Sequence, residues 1–144
     1  MLAITYRRVG ERSEIVGVND VGEAPPPGPA RLQVQVSAFR IHSGDPLAIA
    51  ATQTAGRTLS ARIEATGVIT AIGDGSRGFE PGERGTTFSR LGARRQAVDV
   101  GAAIAVPVPD GAPDGGAVCP LQRLAGAVRH VTQPGKVDTI VVKP

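Results

Sequence analysis

His42 and Asp45 stand three positions apart, close enough along one loop for an imidazole and a carboxylate to act as an acid/base couple near neutral pH. The structural alternative makes His42 a hydrogen-bonded loop histidine and Asp45 a turn or cap residue ahead of Pro46. Glu64, between Ile63 and Ala65, could serve as a proton donor if burial raised its affinity for the proton. An ion pair with Arg40 or Arg62 is the plainer reading. The hydroxyl of Tyr6 could stabilise an enolate, although a core or rim position on a first strand accounts for it without chemistry. Cys119 has no adjacent base to make it a nucleophile. It also has no second Cys or His at metal-ligand spacing. His130 reads as a charge in the last turn of a helix.

The elements that would position these groups are mostly strands. Nineteen glycines and twelve prolines in 144 residues leave room for only one or two uninterrupted helices. The clearest strand runs from Arg31 to Ala38, where Leu32, Val34, Val36 and Ala38 alternate with polar residues. Further strands are expected over Leu2–Tyr6, Glu14–Val18, Ile63–Ile72, Gly85–Phe88, Arg95–Val100, Ile104–Val108 and Val137–Val142. Residues 24–28 form a stiff proline connector. A helix is expected from Pro120, with Leu121, Leu124, Ala125 and Val128 on one face and Pro134-Gly135 as its stop. Residues 46–51 are expected to add a short helical turn.

Composition narrows the function classes. A chain with 41% apolar residues can bury one core, so a single domain is expected. One cysteine excludes an intramolecular disulfide framework, and a reducing, cytoplasmic setting is the simplest fit. No apolar run is long enough to span a bilayer. A net charge of +3 is carried by scattered arginines, and four aromatic residues cannot supply a base-stacking platform, so neither membrane nor nucleic acid is expected as a partner.

Residues 73–78 read Gly-Asp-Gly-Ser-Arg-Gly and match the dinucleotide fingerprint G-x-G-x-x-G. That fingerprint needs a helix opening at its last glycine to hold a pyrophosphate. Here Pro81-Gly82 follows within a few residues and cannot continue a helix, so a glycine-rich hairpin between two strands is expected.

Taken in order, these segments resemble the catalytic, GroES-like domain of the medium-chain dehydrogenase/reductases, particularly the zinc-independent quinone and enoyl reductase branch. Pro27-Gly28 leading into the valine-rich strand, the loop from Ile41 through His42 to Asp45, and the strand carrying Glu64, Gly67 and Gly73 are each similar to a family motif. So are Phe79–Arg84 and the loop from Val108 to Gly111. The stretch from Leu124 resembles the family's closing helix and its terminal glycine-lysine-valine strand. The resemblance implies a partly open β-barrel with a short helix or two, a C-terminal helix and a closing strand. Residues 1–110 would form the main barrel, 111–120 a junction replacing the cofactor domain, and 121–144 the closing helix and strand. His42 falls at the family's first zinc-ligand position, but Ile63 occupies the histidine position before Glu64, so neither a metal nor any other cofactor is expected.

Without a cofactor domain the chain is not expected to act as a stand-alone nicotinamide-dependent oxidoreductase. The leading expectation is a cofactor-free enzyme acting on an enone, quinone or polyketide-like carbonyl by cyclisation, conjugate addition, dehydration or isomerisation, in natural-product biosynthesis. His42, Asp45, Glu64 and Tyr6 are its candidate catalytic residues. The alternatives are a non-catalytic small-ligand-binding or scaffold protein, and a reductase subunit whose nucleotide-binding chain is separate. A homodimer through the face around Gly101–Ala117 is expected, since that face would otherwise leave apolar surface uncovered.

Overall fold

A computed structural model describes residues 1–6, 16–41, 63–89, 95–109, 111–112, 117–120, 129 and 140–143. Strand β3 (Arg31–Ile41) is its spine. Leu32, Val34, Val36 and Ala38 are all buried, while Gln35 and Arg40 are exposed, as the period-two alternation predicts. Each buried Leu or Val contributes about 1.5–3 kcal/mol by leaving water. Strand β4 (Ile63–Ile72) runs antiparallel along one edge of β3, with Leu32 opposite Ile72 and Phe39 opposite Ala65. Gly67 makes that approach possible, because a Cβ there would collide with the Gln35 carbonyl oxygen.

The opposite edge of β3 is shared. Strand β6 (Ala97–Gly101) covers Arg31–Gln35, and β9 (Ile140–Lys143) covers Phe39–Ile41. Strand β5 (Arg84–Ser89) lies beyond β4, and β7 (Ala105–Pro107) beyond β5. Strand β8 (Ala117–Pro120) adds to β9 in parallel. The first two strands, β1 (Leu2–Tyr6) and β2 (Val16–Asp20), form a separate antiparallel pair. Gln96 ties that pair to the sheet: its N–H donates to the Leu2 carbonyl (2.9 Å), and its Oε1 accepts the Leu2 N–H (2.7 Å). Ile4 of β1 then joins the core formed by Leu32, Val34, Val36, Phe39, Ile69, Val100 and Val142.

Two expectations are corrected. The sheet is open, not a partly open barrel: its path ends at β7 and β8, which do not pair with each other. Because β3 divides one edge between β6 and β9, no single ladder continues around to close a cylinder. The expected short helices and C-terminal helix are overturned as well, since no helix of seven residues or more stands among the described residues. Among the described residues, helical backbone is confined to a 3-10 turn at Ala102–Ile104 and the single position Arg129. Pro120, expected to open the C-terminal helix, instead ends β8. Residues 46–51 and 121–128 lie outside the described residues.

The glycine-rich stretch behaves as the hairpin reading expects, connecting β4 to its antiparallel neighbour β5. Gly73 N–H donates to the Arg31 carbonyl (2.8 Å), and Ser76 Oγ donates to the same oxygen (3.1 Å). Gly75 and Gly78 take left-handed φ values of 78° and 81°, which glycine adopts without a Cβ penalty.

Candidate functional site

One ion pair stands where β3 ends and β4 begins. Arg40 and Glu64 form an ion pair across these strands, Nη1 to Oε2 at 3.3 Å. Both point away from the core, because Phe39, Ile41 and Ala65 on either side of them are buried. Glu64 keeps 40% of its side-chain surface exposed and Arg40 keeps 49%. Both side chains are thus partly exposed, and the geometry contains the ion pair of Glu64 with Arg40.

His42 and Asp45 lie outside the described residues. The last described residue before them is Ile41, so the chain leaves β3 toward His42 from the same end of the sheet at which Ile63 and Glu64 enter. Tyr6 ends β1, opposite Val16 in the separate strand pair. The geometry thus brings Glu64 and Arg40 together, while Tyr6 stands on the separate strand pair.

One polar group escaped the sequence reading. Thr87 on β5 is 2% exposed, and its Oγ1 has no hydrogen-bond partner. It faces inward between Ala65 of β4 and Ala105 of β7. The available signal was its place in β5, two residues from the buried Gly85 and therefore on the same, inward face.

A groove of about 310 Å³ opens elsewhere, between the N-terminal strand pair and the outer side of β3 and β6. Glu23, Gln33, Gln35 and Gln96 are among its lining residues. Two of its amides are structural: Gln33 Nε2 donates to the Pro25 carbonyl (2.9 Å), and Gln96 holds Leu2.

No family model and no curated protein matches the sequence. Solved structures do match. A probable oxidoreductase from Mycobacterium abscessus superposes with a TM-score of 0.67 at 26% identity, over 79% of this chain and 37% of its own. CurK enoyl reductase gives 0.68 at 14% identity, over 78% and 36%. The quinone oxidoreductase of Escherichia coli, solved in complex with NADPH, gives 0.63 at 17% identity, over 79% and 35%. The fold is that of the quinone-oxidoreductase-like medium-chain reductases. The sequence resemblance implied this reductase fold, and the chain spans between 34% and 41% of the length of the solved reductase-like chains it matches.

A nicotinamide dinucleotide does not fit the described part of this reductase fold. Its one glycine fingerprint sits in an antiparallel connection, the amides of Gly73 and Ser76 are spent on Arg31 and Gly73 carbonyls, and no helix follows. Among the described residues, no group of three His, Cys, Asp or Glu could hold a metal ion. No helix among them is long and apolar enough to cross a membrane.

Proposed function

We propose that the chain is the substrate-handling part of a reductase fold turned to non-redox chemistry on an activated carbonyl compound: an enone, a quinone or a polyketide-like intermediate. The observation that carries this reading is the Arg40–Glu64 pair at the sheet end from which the chain passes to His42. In this scheme His42, oriented by Asp45, removes a proton beside the substrate carbonyl and returns one at another carbon. The oxidation level of the substrate does not change. Arg40 and Glu64 hold the mouth of the site in a fixed charge arrangement, and the Tyr6 hydroxyl donates to the developing enolate oxygen. Isomerisation needs only these two proton transfers. In dehydration the returned proton goes to the departing hydroxyl, which leaves as water. In conjugate addition or cyclisation the nucleophile that loses its proton bonds to the enone β-carbon while the α-carbon takes the proton.

The reading treats residues 111–120 as the junction where relatives of this fold continue into further chain. Its support is that β9 returns to pair with β3 in the same sheet as β4 and β5. A second copy of the chain is proposed to cover the face around residues 101–117, where Ile104 and Val106 are 46% and 48% exposed. The test is a nucleotide-free incubation with a panel of cyclic enones and naphthoquinones, followed by mass spectrometry and by deuterium uptake from solvent. Turnover or exchange that His42→Ala and Asp45→Asn each reduce at least tenfold is the expected result. Binding without turnover or exchange in the wild-type chain would leave a small-ligand-binding protein as the better reading.

A further inference from the structure

We infer that the β7 edge of the sheet is closed to strand addition by the chemistry of its own backbone, and not by a covering segment among the described residues. The edge is exposed: Ala103, Ile104, Val106, Pro107 and Pro109 all lie at the surface. An exposed apolar edge strand is ordinarily a template for another chain, because it offers a row of unpaired N–H and C=O groups. The pairing with β5 shows which groups this edge offers. Val108 N–H donates to the Arg84 carbonyl (2.9 Å), and Val106 stands opposite Thr86 two positions further along the same antiparallel ladder. Backbone groups alternate in direction along such a ladder, so those of Val106 and Val108 face β5 and those of Ala105, Pro107 and Pro109 face outward.

None of the three outward positions has a donor to give. The Ala105 N–H is taken by the Ala102 carbonyl at the end of the 3-10 turn. Pro107 and Pro109 have no N–H at all. The edge therefore presents only acceptors, the carbonyl oxygens of Ala105 and Pro107, that of Pro109 beyond the strand being taken by the Ala112 N–H (3.2 Å). An incoming strand would lose half of its ladder bonds, and each of its own unpaired outward carbonyls would be desolvated against an acceptor. A partner at this edge is consequently held by side chains, through Ile104 and Val106, or donates from Arg, Lys or Asn side chains to the free carbonyls. It is not held by sheet extension. This inference does not depend on the proposed chemistry.

The test restores the missing donors. In the full chain, Pro107→Val with Pro109→Val gives the edge two outward N–H groups. The double variant is expected to form species larger than the wild type at equal concentration in sedimentation velocity, with added intermolecular sheet absorbance in the infrared. Adding Val106→Lys, which places a charge on the exposed side of the same strand, is expected to abolish those larger species. Circular dichroism on all three proteins separates edge pairing from misfolding. An unchanged distribution in a folded double variant overturns the inference, and so does assembly that the lysine leaves untouched.

Discussion

Two side chains carry the sharpest residue-level expectations. The unpaired hydroxyl of Thr87, shut between Ala65 and Ala105, forgoes the hydrogen bonds it would make in water. Such a group costs about 1–3 kcal/mol. Thr87→Val removes the hydroxyl with little change of shape and should raise unfolding stability by about 1 kcal/mol, measured by urea titration. A clear loss of stability would mean that the hydroxyl has a partner in solution. Asp20 behaves differently. The Gly22 N–H (2.9 Å), followed by the ammonium at Met1 (3.0 Å), holds its carboxyl below the ordinary value of 3.8. The folded state thus favours the charged form. Its contribution is complete above that ordinary value and disappears as pH falls through the lowered one. Asp20→Asn should melt below the wild type at neutral pH, and the two melting curves should converge in acid; a gap that stays constant with pH would contradict this account. Glu64 is where the sequence reading succeeded in its plain form: a carboxylate across two strands from an arginine was legible as an ion pair. Its exposure was not, because a buried Ala65 beside it says only that Ala65 faces inward.

At the scale of elements, the glycines discriminate. Gly67 and Gly85 are both buried strand residues, but a Cβ at Gly67 meets the Gln35 carbonyl oxygen, whereas one at Gly85 meets nothing closer than Ile69 Cδ1 at 3.7 Å. Gly67→Ala should cost about 3 kcal/mol by forcing β3 and β4 apart. Gly85→Ala should change stability by less than about 1 kcal/mol, with reduced unfolded-state freedom working in its favour. Chemical denaturation of the two variants side by side decides the matter. Most strands were visible in the sequence because one face is buried and the alternation is local. Strand β8 was not: Ala117–Pro120 has no alternation, and its pairing with β9 depends on residues more than twenty positions away. The two-branched edge of β3 was equally invisible, since nothing within Arg31–Ile41 announces that β6 stops at Gln35 and β9 begins at Phe39. That branching keeps the sheet open where the family resemblance implied a partly open barrel.

For the whole molecule, the exposed Ile104 and Val106 lead us to expect a dimer of two copies at micromolar concentration, joined by side chains around residues 101–117. Sedimentation equilibrium giving a single monomeric mass would remove that expectation, and Val106→Asp should weaken the dimer without unfolding the chain. The position of β3 has a further consequence, which concerns time. Its partners β4, β6 and β9 begin at residues 63, 97 and 140, so none of its ladders can form from nearby sequence. Folds dominated by such distant pairings close their loops before they gain contacts and fold slowly, in milliseconds to seconds. During synthesis, Phe39 must wait for Val142 to leave the ribosome before its row of the core is complete. Until then the Phe39–Ile41 end of β3, the longest strand among the described residues, keeps one edge unfilled.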